Sequence, residues 1–169
     1  MNNWMLAKIK MTVQLENGTF KRATQPYLFT AMSFTDCETR IYEELGTIIR
    51  GEFNVVSINR QDIHDIFHHE DSDVWYLGKI VFDGTIDGEG TKKTRQSFLL
   101  TADSVADATG RLKEALSGLM VDFEITGVTV SPIVDVFPYR EELDKEISRT
   151  PIKEEETDEI DEIIHESGE

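Results

Sequence analysis

The chain repeats itself. Trp4-Met-Leu-Ala-Lys-Ile-Lys returns as Trp75-Tyr-Leu-Gly-Lys-Ile-Val, and a shift of 71 aligns residues 4–45 with residues 75–116 without a gap. Of those 42 positions 14 are identical, enough to treat the chain as a duplication before any other pattern is considered. A shift of 70 then matches residues 52–67 with 122–137, ending Ile63-His-Asp65-Ile-Phe67 against Ile133-Val-Asp135-Val-Phe137. Whatever one copy folds into, the other must fold into as well.

Each copy opens with period-2 alternation. Met5, Ala7, Ile9, Met11, Val13 and Leu15 lie on one side of an extended chain, and Trp4, Leu6, Lys8, Lys10, Thr12 and Gln14 on the other. Asn17-Gly18 supplies a tight turn with positive φ, so residues 20–31 read as the returning strand. Ser33-Phe-Thr-Asp36 is a capping-box-like start. Phe34, Cys37, Ile41, Leu45, Ile48 and Ile49 follow at helical spacing, with Glu38, Arg40, Glu43 and Glu44 on the wet face and Gly51 as the stop. Residues 53–58 read as a third strand and residues 63–67 as a separate apolar tag.

The second copy repeats this plan. It has a strand over 75–86, a glycine-rich turn at 87–90 and a strand over 92–101. Its cap is Ser104-Val-Ala-Asp107, its buried stripe is Val105, Ala108, Leu112, Leu116 and Leu119, and its closing strand spans 123–130. The expected fold is therefore α+β: tandem β-β-α-β units, 1–72 and 73–140, sharing one domain. They would form one mainly antiparallel sheet of about six strands, with both helices on one face and a pseudo-twofold axis. Residues 141–169 make an acidic C-terminal tail, expected to be disordered because its like charges repel and its apolar residues are few.

Charge and composition narrow the function classes. The net charge is −16, of which residues 151–169 carry half. Such a chain is repelled from nucleic acid and anionic membrane at long range, so binding to either needs a local basic surface. No apolar run approaches the ~20 residues that span a bilayer, and no membrane partner is expected. The N-terminus shows no secretory pattern, and the single Cys37 excludes an internal disulfide. A cytoplasmic protein is expected.

The matching run Trp4-Met-Leu-Ala-Lys8, Pro26-Tyr-Leu28, Ala31-Met-Ser-Phe-Thr-Asp36, Trp75-Tyr76 and Asp135-Val-Phe-Pro-Tyr139 resembles a family of unknown function. That family is found in gut Bacteroidetes and their tailed phages, including the crAss-like type. The resemblance covers most of residues 1–139, implies a small phage or mobile-element protein acting in the host cytoplasm, and carries over no catalytic residue. The tail is similar to those of phage single-stranded-DNA-binding proteins, although it ends Ser167-Gly168-Glu169 rather than in an aromatic residue.

Three features suggest chemistry. Trp4, Leu6 and Lys8 recur as Trp75, Leu77 and Lys79 on one strand face, which in the first copy also carries Lys10. If open, that face suits single-stranded DNA, with bases on the rings and phosphates on the ammonium groups; if covered, the tryptophans plug a duplicated core. Lys21 and Arg22 recur as Lys92, Lys93 and Arg95 in the returning strands, as phosphate contacts or as edge protection. The tail acids Glu154, Glu155, Glu156, Asp158, Glu159, Asp161 and Glu162 would compete with DNA and recruit replication or host proteins.

The cluster His64, His68, His69, Asp62, Asp65, Glu70 and Asp71 matches no metal motif and reads as a solvated connector. No cofactor, metal or catalytic group is expected, and the chain reads as a non-enzyme. The leading expectation is a phage-type single-stranded-DNA-binding protein acting in replication or recombination. The alternatives are an acidic interaction module, such as an inhibitor or DNA mimic, and a virion or assembly component. Exposed strand edges leave homo-oligomer formation open.

Overall fold

The computed structural model describes residues 3–85 and 91–139. Residues Met1–Phe137 make one compact unit. The expected glycine-rich turn at 87–90 and the tail therefore lie outside the described residues.

Each copy forms its own sheet. In the first, β1 (Trp4–Gln14) is central, flanked antiparallel by β2 (Phe20–Thr30) and β3 (Phe53–Gln61), with helix α1 (Phe34–Leu45) between β2 and β3 in sequence. Gly18 takes the turn between β1 and β2 at φ 83°. The short β4 (Asp65–Phe67) follows. In the second copy β5 (Trp75–Thr85), β6 (Thr91–Thr101), α2 (Val105–Leu116), β7 (Asp122–Val130) and β8 (Asp135–Phe137) repeat the plan. Even the irregularities repeat. Val56 is an extra residue in β3 between the partners of Lys8 and Ile9, and Thr126 is its counterpart in β7 between the partners of Lys79 and Ile80. The change of shift from 71 to 70 falls in the loops after the helices, so no register is disturbed.

The two tags are exchanged. β8 of the second copy pairs in parallel with β2 of the first, Tyr27 opposite Asp135 and Phe29 opposite Phe137. β4 of the first copy pairs with β6 of the second at the equivalent positions, Phe98 opposite Asp65 and Leu100 opposite Phe67. The sheet orders are β3-β1-β2-β8 and β4-β6-β5-β7.

This corrects the expectation of one six-stranded sheet with both helices on one face. There are two four-stranded sheets, and each carries its own helix. Met5, Ala7, Ile9 and Met11 pack under Cys37, Ile41 and Leu45 of α1, while Tyr76 and Ile80 pack under Ala108, Leu112 and Leu116 of α2. The opposite faces then meet each other through Trp4, Leu28 and Ile63 against Trp75 and Leu99, with Leu6, Ile66, Leu77, Ile133 and Val136 around them. The reason is apolar area. A single flat sheet would leave two rows containing tryptophan and leucine in water, whereas packing face to face removes both at roughly 25 cal/mol per Å².

The helices are shorter than the periodicity predicts. α1 stops at Leu45 with Gly46 as cap, Gly51 takes φ 94° in the loop beyond, and Ile48 is 59% exposed. Val105 and Leu119, assigned to the buried stripe of the second helix, are also exposed. Both helices begin as expected: Ser33 Oγ accepts from the Asp36 amide and Ser104 Oγ from the Asp107 amide, each at 3.0 Å.

Candidate nucleic-acid interface

The face shared by Trp4, Leu6, Lys8 and Lys10 is divided along its length. Trp4 is 5% exposed and Trp75 4%, because both lie in the cluster between the sheets. Neither ring presents an open face on the sheet for a base to stack on, which corrects the assignment of Trp4 and Trp75 to an open binding face. Beyond Leu6 and Leu77 the sheets no longer cover each other, and Lys8, Lys10 and Lys79 are exposed.

Cross-strand register shows what accompanies these lysines. Thr12 is opposite Arg22, Lys10 opposite Thr24, and Gln14 opposite Phe20, so Lys8, Lys10, Arg22 and Phe20 share one face of the first hairpin. On the β3 side, Lys8 faces Ser57 and Lys10 faces Asn54. Among the paired positions of β1, β2 and β3 this face carries no carboxylate; Glu52 immediately precedes β3. Phe20 is 72% exposed near the hairpin tip. Lys21, opposite Val13, points to the other face.

The second hairpin differs. Lys79, Arg95 and Lys93 occupy the corresponding face, but Asp83 lies directly opposite Lys93 on one side and Asp122 on the other, while Val81 separates Arg95 from Glu124. This face carries three cations and three carboxylates. Lys92, opposite Gly84, points the other way. The duplication therefore presents a basic face once, on the first copy, and the aromatic residue beside it is Phe20. An exposed aromatic residue at a hairpin tip was the available signal for it in the sequence.

The connector between the copies keeps most of its charged and histidine side chains exposed, as expected, but its backbone is tied down at His69 and Ser72. His69 donates its amide to Thr101 Oγ1 at 2.7 Å, and the Thr101 hydroxyl donates back to the His69 carbonyl at 3.0 Å. The buried Ser72 hydroxyl donates to Asp103 at 2.7 Å. His68 stacks on Trp75 with ring centroids 5.5 Å apart. Among the described residues no group of three or more His, Cys, Asp or Glu side chains is arranged to hold a metal ion.

Two arginines omitted from the candidate residues tie the helices to their surroundings, Arg111 to the connector and Arg40 to β8. Arg111 donates to both carboxylate oxygens of Asp71 at 2.9 Å, to the Thr101 carbonyl at 3.2 Å, and pairs with Asp107 at 3.1 Å. Its counterpart Arg40, 8% exposed, donates to the Thr30 carbonyl and hydroxyl and to the Phe137 carbonyl at 3.4 Å. The hydrogen bond from Arg111 holds the Asp71 carboxyl below its ordinary range. Cys37 lies fully buried on the inner face of α1, and burial pushes its thiol up to about 11, so it is no nucleophile at neutral pH.

No helix among the described residues is long and apolar enough to cross a membrane. Comparison with curated proteins and with solved structures found no match. A family model described as a domain of unknown function, DUF4494, matches residues 3–139, the whole of both copies and their exchanged tags. The chain belongs to the DUF4494 family.

Proposed function

We propose that the chain is a non-enzymatic protein that binds single-stranded nucleic acid on the open face of its first hairpin. The observation that carries this reading is the set Lys8, Lys10 and Arg22 beside exposed Phe20, on strands whose paired positions bear no carboxylate there. In a chain of net charge −16, such a face is where a polyanion is least repelled. Ammonium and guanidinium groups track phosphates, and a sequence-tolerant stack on Phe20 holds a base. The acids from Glu154 to Glu162 supply a competing polyanion that weakens binding and recruits basic replication partners. A phage-type, cytoplasmic role in replication or recombination is the setting that the resemblance suggests.

Fluorescence anisotropy with labelled oligonucleotides over a range of salt tests this. Binding is expected at low salt, tighter when the chain is stopped at Arg149. Replacing Lys8, Lys10 and Arg22 with Gln should lower the slope of log K against log salt by about 2, from roughly 0.7 per phosphate contact on a single strand. The same change at Lys79, Lys93 and Arg95 should alter it little. No saturable binding at low salt, with or without the tail, overturns the proposal.

A second reading rests on the carboxylates of the second hairpin. Asp83, Asp122 and Glu124 together with the acidic tail suit an interaction module that mimics DNA charge toward a basic host protein. A pull-down with purified basic DNA-binding proteins separates the two. Capture that oligonucleotides do not relieve would favour this reading.

A further inference from the structure

The end of β3 forms a second site on the first copy. Asn3, Trp4, Arg60, Gln61, Asp62, Ile63 and His64 line a cavity of about 460 Å³. That is the size of a small-ligand site. Trp4 and Ile63 supply its apolar part and Asn3, Gln61 and Asp62 its hydrogen-bonding groups, while the His64 ring packs edge-on against Phe98 at 5.3 Å. Among the described residues, the side chains of Asn3, Gln61, Asp62 and His64 make no internal hydrogen bond; the guanidinium of Arg60 lies 5.7 Å from the centre of the Phe34 ring.

The duplication provides an internal control for this site. The positions equivalent to Asn3, Arg60, Gln61, Asp62 and His64 around Trp75 are Val74, Val130, Ser131, Pro132 and Val134. The backbone there is the same, including the Ser131 amide that donates to the Trp75 carbonyl at 2.8 Å. Val74, Val130 and Val134 are 47%, 60% and 44% exposed. A requirement of the fold would apply to both copies, yet the second folds with valines and a proline. The polar set around Trp4 is therefore not a structural necessity.

Its chemistry selects a ligand. Asp62 offers two acceptor oxygens and no donor, and the amides of Asn3 and Gln61 offer both; Arg60, opposite Met5, turns to the α1 face and takes no part. A flat heterocycle with two adjacent N–H donors beside a carbonyl acceptor matches this set, and among nucleobases that is the edge of guanine. The site also adjoins the basic face. Trp4, Lys8 and Lys10 follow one another on the same side of β1, Lys8 about 13 Å from Trp4 at ~3.3 Å per residue. The β3 residues Asn59, Ser57 and Asn54, opposite Leu6, Lys8 and Lys10, form an uncharged polar track between them. We infer that this cavity is a nucleobase pocket that accepts guanine from the strand held on the first hairpin, an inference that rests on the nucleic-acid reading above.

Titration of the ¹⁵N-labelled full chain with GMP, AMP, CMP and UMP tests it. GMP should shift the Trp4 indole and the Asn3 and Gln61 side-chain amide signals, with the other three at least ten-fold weaker. Asp62→Asn should erase the preference for guanine, a loss of roughly ten- to hundred-fold. Gln61→Ser, the residue of the second copy, should weaken GMP binding while leaving the melting temperature in place. Equal binding of all four nucleotides, no shift at Trp4, or a preference that survives Asp62→Asn overturns the inference. Oligonucleotide binding without base preference sinks the pocket and leaves the first-hairpin proposal standing. GMP selectivity in a chain that holds no oligonucleotide does the reverse.

Discussion

Phe20 and Trp75 exchange the roles their types suggest. Stacking one base on an exposed ring contributes roughly 1–3 kcal/mol, so Phe20→Ala should weaken oligonucleotide binding about 5- to 100-fold in anisotropy while leaving thermal unfolding nearly unchanged. Trp75→Ala should do the opposite. Removing a buried ring of this size costs about 3–5 kcal/mol of stability, seen as a lower urea midpoint, whereas the protein that remains folded should bind as before. At Asp71 the folded-state carboxyl is held below its ordinary value, so the ion pair with Arg111 stabilises the fold above that value and ceases to do so as pH falls through the lowered one. The advantage of the wild type over Asp71→Asn in urea melts should therefore be present at neutral pH and vanish in strong acid. Arg40 and Arg111 show how a residue can be visible in sequence and still be misjudged. Both are identical between copies along with Thr30/Thr101, Ser33/Ser104 and Asp36/Asp107, but charge alone assigns an arginine on a helix to the wet face. Only its aliphatic stem and its carbonyl partners explain its burial.

Helix and sheet are matched element by element, and the match differs between the copies. A Cβ on Gly78 of β5 would come within 2.5 Å of Leu112 Cδ2 of α2. The first copy solves the same contact with Ala7 on β1 and Ile41 on α1. Gly78→Ala should therefore cost about 1–3 kcal/mol by overpacking. Combined with Leu112→Ile, which recreates the pair of the first copy, it should recover most of that loss in a double-mutant cycle of urea midpoints. Most elements were legible: both hairpins, both caps and both helices follow from alternation, turn glycines and helical spacing, whereas the tags read only as a repeated apolar run and not as the strands β4 and β8. Their ends were less so, because Ile48, Ile49 and Leu119 continue the apolar period after the helix has stopped. What covers each sheet face was not legible. Period-2 alternation says that Trp4, Leu6, Lys8 and Lys10 share a face, but it does not say that a second sheet covers the first two and leaves the last two in water.

At the scale of the molecule, neither copy is complete without the other. The first sheet lacks its outer strand until β8 arrives, and the second lacks β4. Each alone would also expose its half of the cluster around Trp4 and Trp75. Residues 1–62 and residues 63–139 made separately should each lack a cooperative melt, the first for want of β8 and the second for want of a partner sheet. Mixing them should restore one unfolding transition by circular dichroism, since all eight strands are then present. Independent folding of either fragment would contradict this account.

The exchange of tags also sets an order of events during synthesis. β1, β2, α1 and β3 leave the ribosome first, yet the strand that closes their sheet, carrying Phe137, is the last piece of the compact unit to emerge. The second sheet has the reverse schedule, because β4 is already waiting when β6 appears. The half made first is thus finished last, and its open β2 edge stays uncovered until translation has passed Phe137.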